Sequence, residues 1–361
     1  MTVAQEPAAF CGGPPAPEDK SAQEFVVRPI PAVESAEWEE GLARSPQSCV
    51  FLRSAWFDLF GKHFGWRIAR FGCYEFDRLV GGLAGRVVEG ESLVRLDRLL
   101  LVPYNGCWAT GGDARLRHRV VHRGHAILSA LANEIAARFG DAVLDLHPAN
   151  NDVRPFTWGG WNAAVRYTFV NDLTKCDEAD CAPSVRRRAK RAAAAGVRFD
   201  SDVPPGEFVG LWSRSLRRQG LREPVSPDAL RGLLDRLPEQ PFASEICGTR
   251  LSDGRLAAAN VILYDRTTAY YWLAGFDADE PHHGAANQLC HLETLRRSAG
   301  RAARFDWVGA NTRSIAEYKQ SFGPDLVPYC RVTWKRVEHK VPPGRAPGTL
   351  RRWLRACPIL G

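Results

Sequence analysis

An internal repeat is the feature that most constrains what this chain can fold into. The segment Val143–Asn151 resembles Arg304–Thr312 without a gap, so that Asp145 falls on Asp306 at an offset of 161 residues. Each copy follows a helix-like stretch that ends near a glycine. Because equal patterns of apolar and polar residues favour equal arrangements of helices and strands, the repeat predicts two units of like topology.

The two copies share one order of elements. An amphipathic helix (Arg117–Gly140 or Asn287–Gly300) leads into a short apolar strand, then an Ala–Asn turn whose Asn can cap the next helix, a second helix and a final strand. The sequence therefore predicts an α+β protein of two domains. The other predicted strands are Arg67–Tyr74, Arg78–Val88, Ser92–Pro103 and Ala163–Val170 in the first half, and Phe242–Arg250, Arg255–Tyr264, Thr268–Ala274 and Val327–Trp334 in the second.

Four segments follow from these patterns. A polar stretch between Asn171 and Pro183 separates the halves, so we predict a flexible leader over 1–24, domains over 25–175 and 176–338, and a basic tail over 339–361. The leader lacks the basic start and apolar block of a secretion signal. No apolar run approaches the ~20 residues of a membrane helix. We therefore expect a cytoplasmic protein without membrane insertion.

The charge of the chain favours an anionic partner. It has 48 Lys and Arg against 41 Asp and Glu, a net charge of +7 at pH 7, and 45% apolar residues, which exclude a disordered chain. Candidate partners are a nucleic acid, a phosphate-bearing cofactor or a nucleotide-linked substrate. The ten cysteines have no disulfide-like spacing, and Cys176 and Cys181 fit no common zinc pattern, so we predict no metal site.

Five cations crowd the predicted helix Ser184–Gly196, where they repel one another unless an anion neutralises them. The alternative is a solvated helix face. Two histidines precede a later helix start, where an anion is favoured, with a solvated loop as the alternative. The predicted nucleic-acid- or phosphate-binding residues are Arg186, Arg187, Arg188, Lys190, Arg191, His282 and His283.

Four segments of the second half carry a resemblance to a known family. They are the basic helix Ser184–Gly196, Phe208–Leu221, the meander Leu256–Asp277 with the helix from Gly284, and Phe305–Gly323, the most specific of the four. Together with the tandem halves they resemble the Fem-type aminoacyltransferases of the GNAT superfamily, in which two acetyltransferase-like domains form one enzyme. The resemblance covers most of residues 25–338 and implies two tandem GNAT-like domains, each a mixed, mostly antiparallel sheet flanked by helices. It also implies transfer of an aminoacyl or acyl group to an amine, with no bound cofactor.

The resemblance assigns roles to individual residues. Lys319 matches the lysine of the family's aromatic-Lys-x-x-Phe-Gly motif, which stabilises the transition state; the alternative is a surface lysine on an amphipathic helix. Asp306 ends its strand and is predicted to orient or deprotonate the amine, although the equivalent position of Asp145 leaves a structural role open. The implied acceptor-binding residues are Arg218, Tyr104 in the loop Pro103–Gly106, and Tyr318.

Two departures from the family bear on the substrates. The chain has no heptad run for a coiled-coil arm, and Pro281–Gln288 has one glycine where an acetyl-CoA-binding GNAT domain has a glycine-rich pyrophosphate loop. The basic helix and the single glycine favour aminoacyl-tRNA over CoA as co-substrate, and the predicted acceptor is the amine of a small molecule, as in antibiotic biosynthesis, or of a nucleotide-linked muropeptide. The alternatives are an acyl-CoA-dependent N-acyltransferase and a catalytically silent nucleic-acid-binding protein. In Tyr270–Trp272, neighbouring strand residues face opposite sides of the sheet, so Tyr271 alone is expected to line an active-site cleft. The alternative is that all three side chains pack in the core.

Overall fold

A computed structural model describes residues 25–31, 35–90, 93–111, 116–175, 178–282 and 284–336, so the predicted leader and tail lie outside the described residues. The strands are β1 Phe25–Pro29, β2 Ile68–Glu75, β3 Arg78–Glu89, β4 Val94–Asp97, β5 Cys107–Ala109, β6 Asp141–Asp145, β7 Asn162–Asp172, β8 Arg198–Asp200, β9 Ala243–Arg250, β10 Leu256–Tyr264, β11 Thr268–Phe276, β12 Arg304–Asp306 and β13 Asp325–Lys335. The helices are α1 Ser35–Ala43, α2 Ser54–Phe64, α3 Arg117–Arg138, α4 Arg154–Thr157, α5 Pro183–Ala194, α6 Pro205–Arg218, α7 Pro227–Asp235, α8 Ala285–Ala299 and α9 Arg313–Gln320.

All of these strands join one mostly antiparallel sheet. Their order is β1-β2-β3-β4-β6-β13-β7-β12-β11-β10-β9-β8, with β5 paired to β3. The order is symmetric about the contact between β13 and β7, which pair antiparallel over nine residues. The two halves therefore have the same topology, as the repeat predicts.

The final strands of the halves are exchanged. Strand β7 of the first half pairs with β12, and β13 of the second half pairs with β6. In these pairs Asp306 lies opposite Val170 and Asp145 lies opposite Arg331, so the offset of 161 residues extends into the exchanged strands. The sheet is continuous across the predicted division of the chain after residue 175.

Helices cover both faces of the sheet. Adjacent residues Tyr270 and Tyr271 belong to different cores, because neighbouring side chains of a strand point to opposite faces. On the Tyr270 face, α1 and α2 of the first half and α6 and α7 of the second pack into one shared core. Here the rings of Phe51 and Tyr270 lie 5.1 Å apart, and those of Trp56 and Trp272 lie 5.3 Å apart. This shared core fixes the halves relative to each other.

The opposite face has a separate core for each half, under α3 and α4 in the first and under α5, α8 and α9 in the second. In the described part of the chain, no helix combines the length and the apolar character that crossing a bilayer requires.

Two local predictions are wrong. The strand expected over Ser92–Pro103 ends at Asp97, because the chain then leaves the sheet to cross to the other half. The Asn residues of the Ala–Asn turns do not cap the following helices. Asn150 instead donates to the carbonyl of Cys107, and Asn311 exchanges hydrogen bonds with the backbone of Tyr167, so each Asn ties its turn to a neighbouring segment.

Candidate active site

The candidate site lies where β11 and β12 separate. These parallel strands pair over three positions only, and the last pair is Tyr270 with Asp306. Strand β12 ends there, whereas β11 continues to Phe276. The side chain of Asp306 therefore stands at the mouth of a gap between two strands, on the face of the sheet that carries the shared core.

Asp306 is a buried carboxylate held by neutral donors. Its side chain accepts hydrogen bonds from the Tyr104 hydroxyl (2.8 Å), the Thr168 hydroxyl (2.6 Å) and the Val308 backbone N–H (2.8 Å). Only 3% of the residue is exposed, and burial raises the pKa of the carboxyl group above its usual range. Within the described ranges no cation hydrogen bonds or ion-pairs with it. Such a group is suited to accepting a proton.

Asp145, its equivalent in the first half, has a different environment. Arg331 donates to both of its carboxylate oxygens at 2.7 Å, and Arg98 lies at 3.5 Å. The guanidinium keeps this carboxylate paired, as in other bidentate ion pairs. The residue opposite Asp306, equivalent to Arg331, is Val170 on β7 of the first half, which has no charge. The structure therefore separates the two aspartates, which the sequence left equivalent: Asp145 is paired and structural, and Asp306 is held by neutral groups.

The segment between β4 and β5 brings Tyr104 to Asp306. This segment crosses to the second half, where the Leu101 carbonyl accepts a 2.6 Å hydrogen bond from the Trp272 indole. Leu101 has a φ of 64°, which turns the chain toward Tyr104. The Tyr104 ring is fully buried and contacts the rings of His147 and Tyr329, both at 5.4 Å. Tyr104 thus lies in the site, next to the predicted catalytic aspartate.

A cleft of about 430 Å³ opens beside these residues, between the two halves. Its charged and aromatic lining residues are His147, Asp172, Tyr270, Arg304, Asp306 and Asp325. Tyr270 lines it, and Tyr271 packs on the opposite face of the sheet, so of the two alternatives for Tyr271 the structure shows core packing. The bulge in the pairing of β10 with β11 does not alter which of these two neighbours faces the cleft.

His147 is a site residue that the sequence analysis missed. Its Nδ1 accepts a hydrogen bond from the Ala149 N–H at 3.2 Å, and burial together with Arg304 lowers the pKa of the imidazole to about 4. The ring is therefore neutral at pH 7, and with Nδ1 as acceptor the proton belongs on Nε2. The signal that could have found it is its position two residues after Asp145, inside the repeated segment.

Lys319 is buried, with 7% of the residue exposed. Its ammonium donates to the carbonyls of Trp307 (2.6 Å), Val308 (3.2 Å) and Gly309 (2.9 Å). Burial lowers its pKa to about 8. An ammonium has three donors, and the turn that follows Asp306 uses all of them. Lys319 is thus not on the surface, and it holds a turn in which Val308 and Gly309 have φ values of 50° and 88°.

Tyr318 faces away from the cleft. Its hydroxyl accepts a hydrogen bond from Asn287 at 2.9 Å and lies 3.0 Å from Nδ1 of His291, both on α8. His291 in turn lies 2.8 Å from the Tyr271 hydroxyl, and burial lowers its pKa to about 3. This network packs beneath Trp307 on the second-half core. Tyr318 therefore supports α9, and its predicted contact with the acceptor stays a prediction.

Arg218 lies apart from this cluster. It is exposed at the end of α6, with its guanidinium carbon 4.7 Å from the centre of the Phe276 ring. Phe276 is six residues beyond Tyr270 on β11, which is about 20 Å at the rise of a strand. Arg218 could reach only an extended acceptor, so its role stays a prediction.

The five cations of α5 are all exposed, while Val185, Ala189 and Ala192 face the core. None of the five forms an ion pair or a side-chain hydrogen bond with another described residue. The helix begins where α9 ends, since the Ala182 N–H donates to the Ser321 carbonyl. The cations, Arg186, Arg187, Arg188, Lys190 and Arg191, then extend about 8 Å along the helix.

The two predicted phosphate-binding histidines lie in the loop before α8. His282 is half-buried, and its backbone N–H donates to the carboxylate of Glu280 at 2.6 Å. His283 lies outside the described residues. Their contact with phosphate stays a prediction. No cluster of three or more potential metal-ligating side chains occurs in the ranges that the structure describes.

Comparisons with known proteins agree with this architecture. Residues 180–320 match the family model described as an acetyltransferase (GNAT) domain. No curated protein matches the chain significantly in sequence. The structure of FemX superimposes with a TM-score of 0.62 at 10% identity, covering 84% of this chain and 96% of its own.

Two further solved structures are similar along most of the chain. A tandem GNAT protein from the clavulanic acid biosynthesis pathway, determined without AcCoA, has a TM-score of 0.52 at 14% identity and covers 86% of this chain and 98% of its own. A conserved protein of unknown function from Bacteroides thetaiotaomicron has a TM-score of 0.54 at 11% identity, with coverages of 86% and 99%. At such identities the likeness shows the fold.

Proposed function

We propose, from the premise that this chain is a GNAT-fold acyltransferase with two like halves, that it transfers an aminoacyl group from aminoacyl-tRNA to an amine. The proposed acceptor is a small molecule or a nucleotide-linked compound. Charged tRNA is a cytoplasmic substrate, so we place the reaction in the cytoplasm.

The choice of donor rests on the exposed basic face of α5. Five cations without acidic partners among the described residues gain most from a polyanion, since phosphates neutralise their mutual repulsion. The helix starts beside α9, which carries Lys319, and Lys319 bonds to the turn that follows Asp306. A nucleic acid on α5 would therefore lie within one helix of the turn that follows Asp306, on the face of the sheet opposite the cleft.

The cleft beside Asp306 supports the chemical step. The amine nitrogen attacks the ester carbonyl of the donor, a C–N bond forms, and the C–O bond to the ribose of tRNA breaks. Asp306 accepts the proton that the amine loses and returns it to the leaving hydroxyl oxygen. His147 donates its Nε2–H to the carbonyl oxygen as negative charge develops there. No covalent intermediate with the enzyme is needed.

Lys319 acts in this scheme as a positioning residue. Because its three donors bind the carbonyls of residues 307–309, it holds the turn whose Val308 N–H donates to Asp306. The resemblance instead implies a lysine that stabilises charge in the transition state directly. Removing the side chain destabilises the fold if Lys319 positions the turn, and leaves stability unchanged if it acts only in the transition state.

The test is transfer of a labelled amino acid to candidate amines with charged tRNA as donor, with and without ribonuclease. We expect ribonuclease to abolish transfer. Transfer that survives ribonuclease and requires acyl-CoA would replace this proposal with the CoA-dependent alternative. Nucleic-acid binding that needs Arg186, Arg187 and Arg188, with no transfer from either donor, would favour the silent binding protein.

A further inference from the structure

The loop before α8 contains a buried carboxylate bound to its own backbone. Glu280 is 3% exposed. One carboxylate oxygen accepts the His282 N–H and the other accepts the Gly284 N–H, both at 2.6 Å. Gly284 directly precedes α8 and has a φ of 82°, and its N–H points to the carboxylate in the loop. The carboxylate thus forms two charge-assisted bonds at the start of a fifteen-residue helix.

The start of a helix attracts anions, because its N–H groups are not used within the helix and the helix dipole is positive there. Phosphate groups of ligands bind to such positions through backbone N–H groups. Here the negative charge and both acceptor atoms come from the protein itself. A phosphate at this place would lose the two N–H donors and meet a carboxylate of the same sign.

The equivalent place in the first half offers no helix start. At the repeat offset, Ala285 corresponds to Gly124, which lies two turns inside α3. The N–H groups there belong to the interior of a helix and bond along it. The first half therefore offers no helix start at this position, and in the second half Glu280 occupies the two N–H groups that precede the helix, those of His282 and Gly284.

We propose that Glu280 is a specificity-determining residue, a built-in anion that keeps diphosphate-bearing acyl donors such as CoA off the start of α8. This inference rests on the proposed function, since it concerns which donor the acyltransferase accepts. It leaves the exposed cations of α5 as the surface for the phosphates of the donor.

Removing the carboxylate frees the two backbone donors and deletes one negative charge. Glu280→Ala does both, while Glu280→Gln deletes the charge and retains one acceptor oxygen. Glu293→Ala is the matched control, because Glu293 also lies on α8 but pairs with Arg296, two turns beyond the helix start. All variants are full-length chains, and cooperative thermal unfolding reports whether each is folded.

The experiment is isothermal titration calorimetry with inorganic pyrophosphate and, separately, with CoA. For wild type and Glu293→Ala we expect no saturable binding of pyrophosphate and no competition between pyrophosphate and CoA. For Glu280→Ala we expect saturable binding of both ligands, at least tenfold tighter than any binding to wild type and weakening with added salt, and for Glu280→Gln a smaller gain.

Wild-type protein that binds pyrophosphate or CoA as tightly as Glu280→Ala would overturn the inference. So would a folded Glu280→Ala or Glu280→Gln that gains no affinity. If both variants fail to fold, pyrophosphate-sensitive CoA binding by wild type overturns the inference, and its absence supports it. A wild-type enzyme inactive with charged tRNA would remove the proposed function and leave this result standing, because the titrations involve no acyl transfer.

Discussion

The hydroxyl of Tyr104 donates a 2.8 Å hydrogen bond to the carboxylate of Asp306, 202 residues further along the chain. Thr168, on the exchanged strand β7, donates to the other oxygen of the same carboxylate. Two residues of the first half therefore hold the candidate proton acceptor of the second. The two halves therefore do not contain two equivalent sites. They form one site that requires residues from both halves.

Replacing each of the two equivalent aspartates should have opposite consequences. Asp306→Asn keeps the shape of the side chain and removes a proton acceptor, so we expect transfer to fall about 10²- to 10⁴-fold with little change in unfolding temperature. Asp145→Asn leaves the Arg331 guanidinium without its bidentate partner and should cost roughly 2–3 kcal/mol of unfolding free energy. Denaturant unfolding and transfer assays on both variants measure this. Equal effects of the two substitutions would contradict the division of roles.

Tyr104→Phe should shift a pH profile. The Tyr104 hydroxyl lowers the pKa of Asp306, against the raising effect of burial, so its loss raises that pKa further. A base must be ionised, so the rate falls as the pH falls through this pKa, and the acidic limb of kcat should move to higher pH in the variant. Tyr270→Phe is the control, because Tyr270 lines the same cleft but donates to Asp265. A Tyr104→Phe limb that coincides with wild type would show that Asp306 does not set it.

Lys319→Met should lower the stability of the protein, and the loss of activity should follow from that loss of stability. One buried and two partly buried carbonyls lose a charged donor, and we expect a loss of at least about 2 kcal/mol in unfolding free energy. Lys319→Arg should be intermediate, since it keeps the charge with a different geometry. Denaturant titrations give the unfolding free energy of each variant, which is compared with its kcat. A Lys319→Met protein as stable as wild type but without activity would restore the direct role in the transition state.

Neutralising the basic face of α5 should weaken binding of tRNA in a salt-dependent way. The triple change of Arg186, Arg187 and Arg188 to Ala should reduce affinity at least tenfold and flatten the slope of log affinity against log salt by about 2–3. The matched control changes Arg222, Arg231 and Arg236, exposed arginines that lie outside α5, around α6 and α7. Filter binding across salt concentrations compares them. Equal losses in both triple variants would indicate attraction by net charge alone.

His147→Gln should alter the dependence of stability on pH. The folded imidazole has a pKa of about 4 against 6.5 for the ordinary group, so between these values the unfolded chain binds a proton that the folded chain does not. The free energy of unfolding therefore falls as the pH drops from 6.5 to 4. Without His147, the slope should decrease by up to about one proton, or ~1.4 kcal/mol per pH unit. Denaturant midpoints at several pH values test this, and identical slopes would mean that His147 is not buried neutral.

The sequence by itself determined the duplicated α+β architecture, because helix and strand periodicities are local and recur at a constant offset along the chain. It also determined the basic face of α5. The five cations are too many to bury on one short helix, so the small apolar residues between them face the core and the cations face outward. The resemblance assigned Lys319 to the transition state, which stays a prediction, and the structure shows its ammonium bound to the carbonyls of the turn that follows Asp306.

Only the tertiary structure decided which aspartate is free of an ion pair. Arg331 reaches Asp145 because the last strands are exchanged, and no local pattern records an exchange between strands so far apart in sequence. The same holds for Tyr104 at Asp306, for His147 beside them and for the burial of Lys319. Pairing across the sheet depends on long-range packing, and it is this packing that turns two similar halves into one asymmetric site.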